Sequence, residues 1–378
     1  MVVFESGQGV RLTDAAGKTY LDFGSGIAVN ALGYGRKDLA DIAAQQMEKL
    51  IHVSNLYATE PSMALGDKLL ALGNFDAVHF GNSGTEANEA AIKFARIYSL
   101  NRKGKGKHKL LCFTNAFHGR TMGALSCTPT SKYQDPYAPL VPGVTVGTFN
   151  NVAELQSTLD ETFAGVIVEV VQGEGGMDVM TREFAEALNA LCSKHDVLLI
   201  ADEVQTGLGR CGYPLASEAV GLRSDIVSLS KPLAGGLPLS ATLIPAKVNN
   251  ELHLGAHGST FGGGPVTTAV AGKVVDIILA ETFLDELAKK AEHLEAGLQE
   301  IVAKNPNIKG VKGLGFLRGL DLVDGAKVPD LMAALQAKGM LILRSGTSVL
   351  RLTPPLVIST EDLDLGLSLI AETCTEIL

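Results

Sequence analysis

None of the five cysteines, at positions 112, 127, 192, 211 and 374, stands at C-x-x-C spacing from another, and their number is odd. That argues against a zinc knuckle or a disulfide framework and fits a reduced, cytoplasmic chain. No apolar run approaches the length of a membrane span, and no charged stretch followed by an apolar one opens the sequence as a secretory signal would. A Walker-type G-x-x-x-x-G-K-[ST] loop, a Pro- or Ser-rich linker and an internal repeat are all missing. Charge is sparse, at 19% of residues, and its balance is −9. An acidic surface repels phosphate backbones, so nucleic acid is a poor partner. The one basic run, Arg102 to Lys109, reads as a solvated loop at a helix C-terminus, where cations are favoured.

What is present is a chain of 378 residues, 46% of them hydrophobic, with 42 glycines. Single cores rarely grow past about 250–300 residues, so two domains are expected. Residues 1–40 are Gly-rich and read as short strands and turns, Thr19–Phe23 among them, joining the smaller domain. Residues 41–284 alternate helical patterns, such as Glu86–Leu100 and Glu183–Lys194, with short apolar runs. Those runs are Val78–Phe80, Lys109–Phe113, Gly165–Val171, Val197–Ala201 and Ile226–Leu229. Continuous apolar strands between helices imply an α/β fold with a mostly parallel sheet covered on both faces. Residues 285–378 read as a smaller α+β domain. It holds a helix through Leu287, Ala291, Leu294, Leu298 and Ile301, strands Met340–Leu343 and Val349–Leu352, and a final helix capped at Ser359.

Three segments carry chemistry. Val197 to Ala201 is apolar and ends in Asp202, placing a carboxylate where open α/β sheets bind ligands. Ile226 to Ser230 ends in Lys231, followed by the small-residue loop Leu233-Ala234-Gly235-Gly236. Gly81-Asn82-Ser83-Gly84-Thr85 opens a helix, whose free N–H groups and dipole suit a phosphate. Each alone has an ordinary reading, as a surface turn, a loop lysine or a plain N-cap. Together, a phosphate cradle, a carboxylate and a lysine at three strand ends are what one pyridoxal phosphate requires. Gly207-Leu208-Gly209-Arg210-Cys211-Gly212 matches G-x-G-x-x-G, with Asp225 near the expected ribose-binding distance. Asp202 to Thr206 separate those glycines from the strand, and Pro214 interrupts any following helix, which excludes the dinucleotide fingerprint.

In order along the chain, Gly81 to Glu89, Phe117-His118-Gly119-Arg120, Glu169 to Gly176, Asp202 to Gly207, Lys231 and His257 to Gly263 resemble the class III aminotransferases. Gly26 to Asn30, His52 to Tyr57 and Val349 to Pro355 extend the resemblance over nearly the whole chain. It implies a fold-type-I homodimer that binds pyridoxal phosphate in active sites shared between subunits. Lys231 would be the Schiff-base lysine and Asp202 the partner of the pyridine nitrogen. Gln205 would contact the ring hydroxyl, with Val204 beneath the ring and Phe117 stacked on its other face. Gly84 and Thr85 would bind the phosphate, with Thr260 of the neighbouring subunit reaching it and Ser259 lying near the substrate. Arg351 would take the α-carboxylate of 2-oxoglutarate, and Glu174 would pair with Arg351 when an ω-amine substrate leaves it free. Arg120 would take the far carboxylate, or that of the amine donor. His118 could orient the ring or serve structure alone.

Within the family the resemblance is greatest to members that move the terminal amine of N-acetylornithine to 2-oxoglutarate, in arginine biosynthesis. Other ω-amine donors of the succinylornithine, ornithine, 4-aminobutyrate or aminoadipate-semialdehyde type stay open. Ile27, where ornithine aminotransferase has a Tyr, argues against free ornithine. So does an upstream Tyr-containing stretch, usual in relatives, that lies ahead of where this sequence starts. Leu32 to Lys37 replaces a Gly-His-x-His-Pro turn, Val170 stands where Pro is common and Gly264 where Asn is usual. A non-enzymatic regulatory protein on the same fold is the reading of a different class, but such a protein would be expected to lose Lys231 or Asp202.

Overall fold

The computed structural model describes residues 2–378. Seven strands form its central sheet, in the order Ala77–Gly81, Ser240–Ile244, Ile226–Leu229, Leu198–Asp202, Phe163–Val168, Lys109–Phe113 and Val144–Gly147. Only Ser240–Ile244 runs against its neighbours. Its link from Leu229 is too short for a crossover, which takes about a dozen residues or more, so the chain turns straight back.

The three middle strands are buried along their whole length, as expected of a sheet covered on both sides. Ile167, Leu198 and Ile200 pack with Ala90, Ala91, Phe94 and Ala95 of helix Gly84–Lys103. The alternate residues Val166, Val168, Leu199 and Ala201 join the cluster of Phe184 and Leu188 from helix Arg182–His195. The period of two along each strand thus divides its side chains between opposite helical layers.

Two four-stranded sheets flank this core. One joins Phe4–Gln8, Arg11–Asp14 and Thr19–Asp22 to Met340–Leu341, the last pair parallel. The other is antiparallel and holds Ile308–Leu314, Leu317–Leu322, Val349–Leu352 and Leu343–Ser345. Helix Glu281–Lys304 buries Leu287, Ala291, Leu294, Leu298 and Ile301. The last helix, Thr360–Ile377, starts at Ser359, whose hydroxyl accepts the Asp362 N–H at 3.1 Å.

Two expected strands differ by more than one residue at an end. Met340–Leu343 breaks at Ile342, because Met340–Leu341 pairs with Leu21 and Asp22 while Leu343 onward pairs in the other sheet. Gly165–Val171 begins at Phe163 and ends at Val168, leaving Glu169 at the sheet edge. Among the described residues no helix is long and apolar enough to cross a membrane.

Candidate active site

Strands Leu198–Asp202 and Ile226–Leu229 are parallel neighbours with Asp202 opposite Ser228, so Lys231 emerges just beyond the carboxylate. Lys231 is half-buried and forms no hydrogen bond or ion pair among the described residues. Burial pulls its amine down to about 8; the negative charges of Glu174, Glu169 and Asp202 resist this and Arg351 adds to it.

Asp202 is 4% exposed. Its Oδ2 accepts His118 Nδ1 at 2.7 Å and Asn88 Nδ2 at 2.8 Å, and its Oδ1 accepts the Val204 N–H at 3.1 Å. Asn88 also donates to the His118 carbonyl at 2.7 Å. The carboxylate is therefore aimed by side chains from helix Gly84–Lys103 and the Phe117–Arg120 loop. His118 Nε2 and Asn88 Oδ1 remain buried without partners, and such orphaned groups are uncommon in structures. His118, left open between two roles, thus contacts the proposed ring partner directly. No local sequence signal marks Asn88, which is 1% exposed on a mainly apolar helix face.

The Gly81–Gly84 turn lies at the same sheet edge. Ser83 caps the helix by accepting the Glu86 N–H at 3.4 Å, and Glu86 returns a carboxylate to the Asn82 N–H at 2.7 Å. The Gly84 and Thr85 N–H groups make no hydrogen bond among the described residues. They form an open anion cradle. A Cβ on Gly84 would come within 2.5 Å of Val204, so only glycine lets the cradle lie this close to the strand end. Thr85 Oγ1 meets Thr121 Oγ1 at 2.7 Å, tying the cradle to the loop that carries Phe117 and Arg120.

Arg351, 2% exposed, comes from the antiparallel sheet. Its Nη1 donates to the Gly173 carbonyl at 2.7 Å, to Gln205 Oε1 at 3.3 Å and to the Glu174 carboxylate. Its Nε is buried and unpartnered. Burial alone would raise the Glu174 carboxyl, but the charges of Arg351 and Lys231 outweigh it and hold that carboxyl below the ordinary value. The Glu174 loop is gripped by the turn after Leu343–Ser345. Gly346 N–H donates to the Glu174 carbonyl and Gly176 N–H to Ser345 Oγ, both at 2.9 Å.

Glu169, which no local sequence signal marks either, is 6% exposed and accepts the Phe117 N–H at 2.9 Å. Burial and the nearby Asp202 charge push its carboxyl well above the usual carboxylate range. Arg120 is exposed and lies over the rings of Tyr133 and Phe117.

Ser259 and Thr260 stand apart from Lys231. Ser259 Oγ accepts Asn82 Nδ2 at 3.0 Å, next to the anion cradle. The Thr260 carbonyl accepts His52 Nε2 at 2.8 Å. Thr260 lines a cavity of about 300 Å³ with His52, Asn55, His79 and His257 rather than with Lys231 or Asp202. Around it, Ile51, Leu56, Tyr57, Met63 and Phe261 present exposed apolar surface.

A family model described as aminotransferase class-III matches residues 1–374. Acetylornithine aminotransferase of Neisseria meningitidis serogroup B is 40% identical over 374 residues, spanning 98% of this chain and 94% of that protein. Acetylornithine aminotransferase of Methanocaldococcus jannaschii is 38% identical, spanning 100% of this chain and 94% of that protein. Among solved structures, N-acetylornithine aminotransferase from Stenotrophomonas maltophilia has a TM-score of 0.87 at 29% identity, covering 100% of this chain and 96% of that one. Ornithine aminotransferase from Toxoplasma gondii has a TM-score of 0.95 at 30% identity, covering 100% and 91%.

Proposed function

The chain belongs to the class-III aminotransferases, and we propose that it uses pyridoxal phosphate to move the terminal amine of N-acetylornithine to 2-oxoglutarate, as a cytoplasmic homodimer. The observation that carries this reading is the meeting at one sheet edge of an unpartnered Lys231 amine and a buried Asp202 carboxylate. The residues fit the cofactor on three counts. Gly84 and Thr85 offer free N–H groups to a phosphate, Asp202 offers an anchored negative charge to a ring N–H, and Lys231 offers an amine with a lowered pKa.

Bound pyridoxal phosphate supplies an electron-poor ring that accepts the electron pair left when a proton leaves the substrate carbon. Asp202 would keep the ring nitrogen protonated, and His118 and Asn88 hold that carboxylate in place. Lys231 Nζ would take up and hold the proton that leaves the substrate carbon. Gln205 would hydrogen-bond the ring hydroxyl, with Val204 and Phe117 against the ring faces. Arg351 receives the α-carboxylate of 2-oxoglutarate, and Glu174 neutralises that guanidinium when the amine donor is bound. Arg120 receives the remaining carboxylate, in the fork geometry suited to it. The apolar surface at Ile51, Leu56, Tyr57 and Phe261 supports a second copy docking there. Docking of that kind brings Thr260, with Ser259 beside it, toward the partner's phosphate and substrate.

The substrate reading is tested by steady-state assay of glutamate formation from 2-oxoglutarate with N-acetylornithine, N-succinylornithine, ornithine and 4-aminobutyrate. N-acetylornithine should give the highest kcat/KM; a higher value for any of the others overturns it. A second expectation concerns pH. The neutral amine is the nucleophile, and the Lys231 value lies near 8 rather than in the usual lysine range. Recovery of the visible cofactor band by the apoenzyme should therefore quicken as pH rises through about 8 and level off above it. Because Glu174 raises the Lys231 value, Glu174→Gln should move that midpoint to lower pH. A flat profile from pH 7 to 9 would show that Lys231 does not control capture.

A further inference from the structure

Arg120 forms no ion pair with an acid among the described residues. Its guanidinium instead lies over the Tyr133 ring, with Cζ 3.7 Å from the centroid, and 5.5 Å from the centroid of Phe117. Phe117 and Tyr133 meet edge to face at 6.4 Å and 82°. The Tyr133 ring is mounted on the same piece of chain that follows Arg120. Tyr133 N–H donates to the Thr130 carbonyl at 2.8 Å, and Gln134 Nε2 reaches the Leu125 and Ser126 carbonyls at 2.9 and 3.3 Å. Lys132 Nζ also lies 4.8 Å from this ring but is exposed.

Stacking engages only the faces of a guanidinium, which leaves the in-plane N–H fork free for a carboxylate. An acidic partner would hold Arg120 just as firmly, but it would neutralise the charge and occupy the fork. A flexible arginine with no partner would lose rotamer freedom on gripping its substrate. The aromatic platform avoids both.

We propose that Tyr133 is a specificity-determining positioning residue: its ring holds the Arg120 fork turned toward the substrate, so that substrates with a second carboxylate are preferred over those without one. The inference rests on the reading of Arg120 as the receiver of a substrate carboxylate.

The test uses the holoenzyme with 2-oxoglutarate or pyruvate as acceptor, alongside calorimetric binding of glutarate, a dicarboxylate that cannot react. Tyr133→Leu should raise the KM for 2-oxoglutarate and the Kd for glutarate by about tenfold. The kcat and the KM for pyruvate should stay near their starting values. Tyr133→Phe, which keeps the ring face, should behave like the parent, and so should Lys132→Ala. In an Arg120→Leu background, Tyr133→Leu should add no further loss. If the leucine variant folds poorly, Tyr133→Gln at the half-buried position answers the same question. An unchanged glutarate Kd in Tyr133→Leu, beside a weakened one in Arg120→Leu, overturns the role of Tyr133 and leaves that of Arg120. Unchanged binding in Arg120→Leu itself overturns the reading beneath it. Equal losses for 2-oxoglutarate and pyruvate mark Tyr133 as structural only and also overturn the proposal.

Discussion

Lys231→Ala should lower kcat by about ten-thousand-fold, the upper range for removal of a general acid–base group, with no loss of thermal stability. Both halves of that result follow from the same geometry. The amine makes no hydrogen bond or ion pair that alanine would forfeit. It is a charge-bearing group in a site that disfavours charge, so its removal relieves desolvation rather than breaking a contact. The functional loss is large because no other amine takes part. Arg351 is committed to Gly173, Gln205 and Glu174, and the acidic groups that act on Lys231 are the carboxyls Glu169, Glu174 and Asp202. The cofactor should still bind through the Gly84–Thr85 cradle, so the variant is expected to keep it while failing to turn over. Steady-state rates and a melting curve on one preparation decide the matter. A variant with near-normal turnover removes Lys231 from the mechanism.

Asp202→Asn is the second large effect expected, about a hundred- to thousand-fold in kcat, as for loss of one preorganised electrostatic group. Asparagine keeps the shape but carries no charge to hold a ring N–H. It also disturbs a carboxylate that accepts three hydrogen bonds, from His118, Asn88 and Val204. A stability cost of about 1–3 kcal/mol is expected where donors are left unmet. Cofactor affinity should fall along with kcat, because the charge would pair with the ring in the resting state as well. Titration of the apoenzyme with pyridoxal phosphate measures the first and initial rates the second. If affinity falls while kcat is kept, Asp202 is only a binding group.

The strands that present these residues were legible because burial on both faces leaves a continuous apolar run, as at Leu198–Asp202 and Ile226–Leu229. Each run ended in the polar residue that matters. Other parts of the fold carried no such local signal. The parallel pairing of Thr19–Asp22 with Met340–Leu341 joins opposite ends of the chain, and no pattern within either segment names the other. The break at Ile342 follows from that pairing, since one apolar run had to serve two sheets. In the site, Asn88, His118 and Glu169 escaped a firm assignment because polar residues are usually exposed. Their burial becomes visible only once Asp202 lies beside the helix and the Phe117 loop. Tyr133 lies well down the chain from Arg120, and only the fold of the intervening turn brings the ring beneath the guanidinium.

The cofactor and the amine donor are tested together by the absorbance spectrum of the purified holoenzyme before and after N-acetylornithine is added without an acceptor. A visible cofactor band should fall while a near-ultraviolet band of the aminated cofactor rises, with 2-oxoglutarate then restoring the first. A band that N-acetylornithine leaves untouched while ornithine or 4-aminobutyrate converts it would contradict the substrate. The absence of any band after added pyridoxal phosphate would contradict the cofactor and the roles given to Lys231 and Asp202.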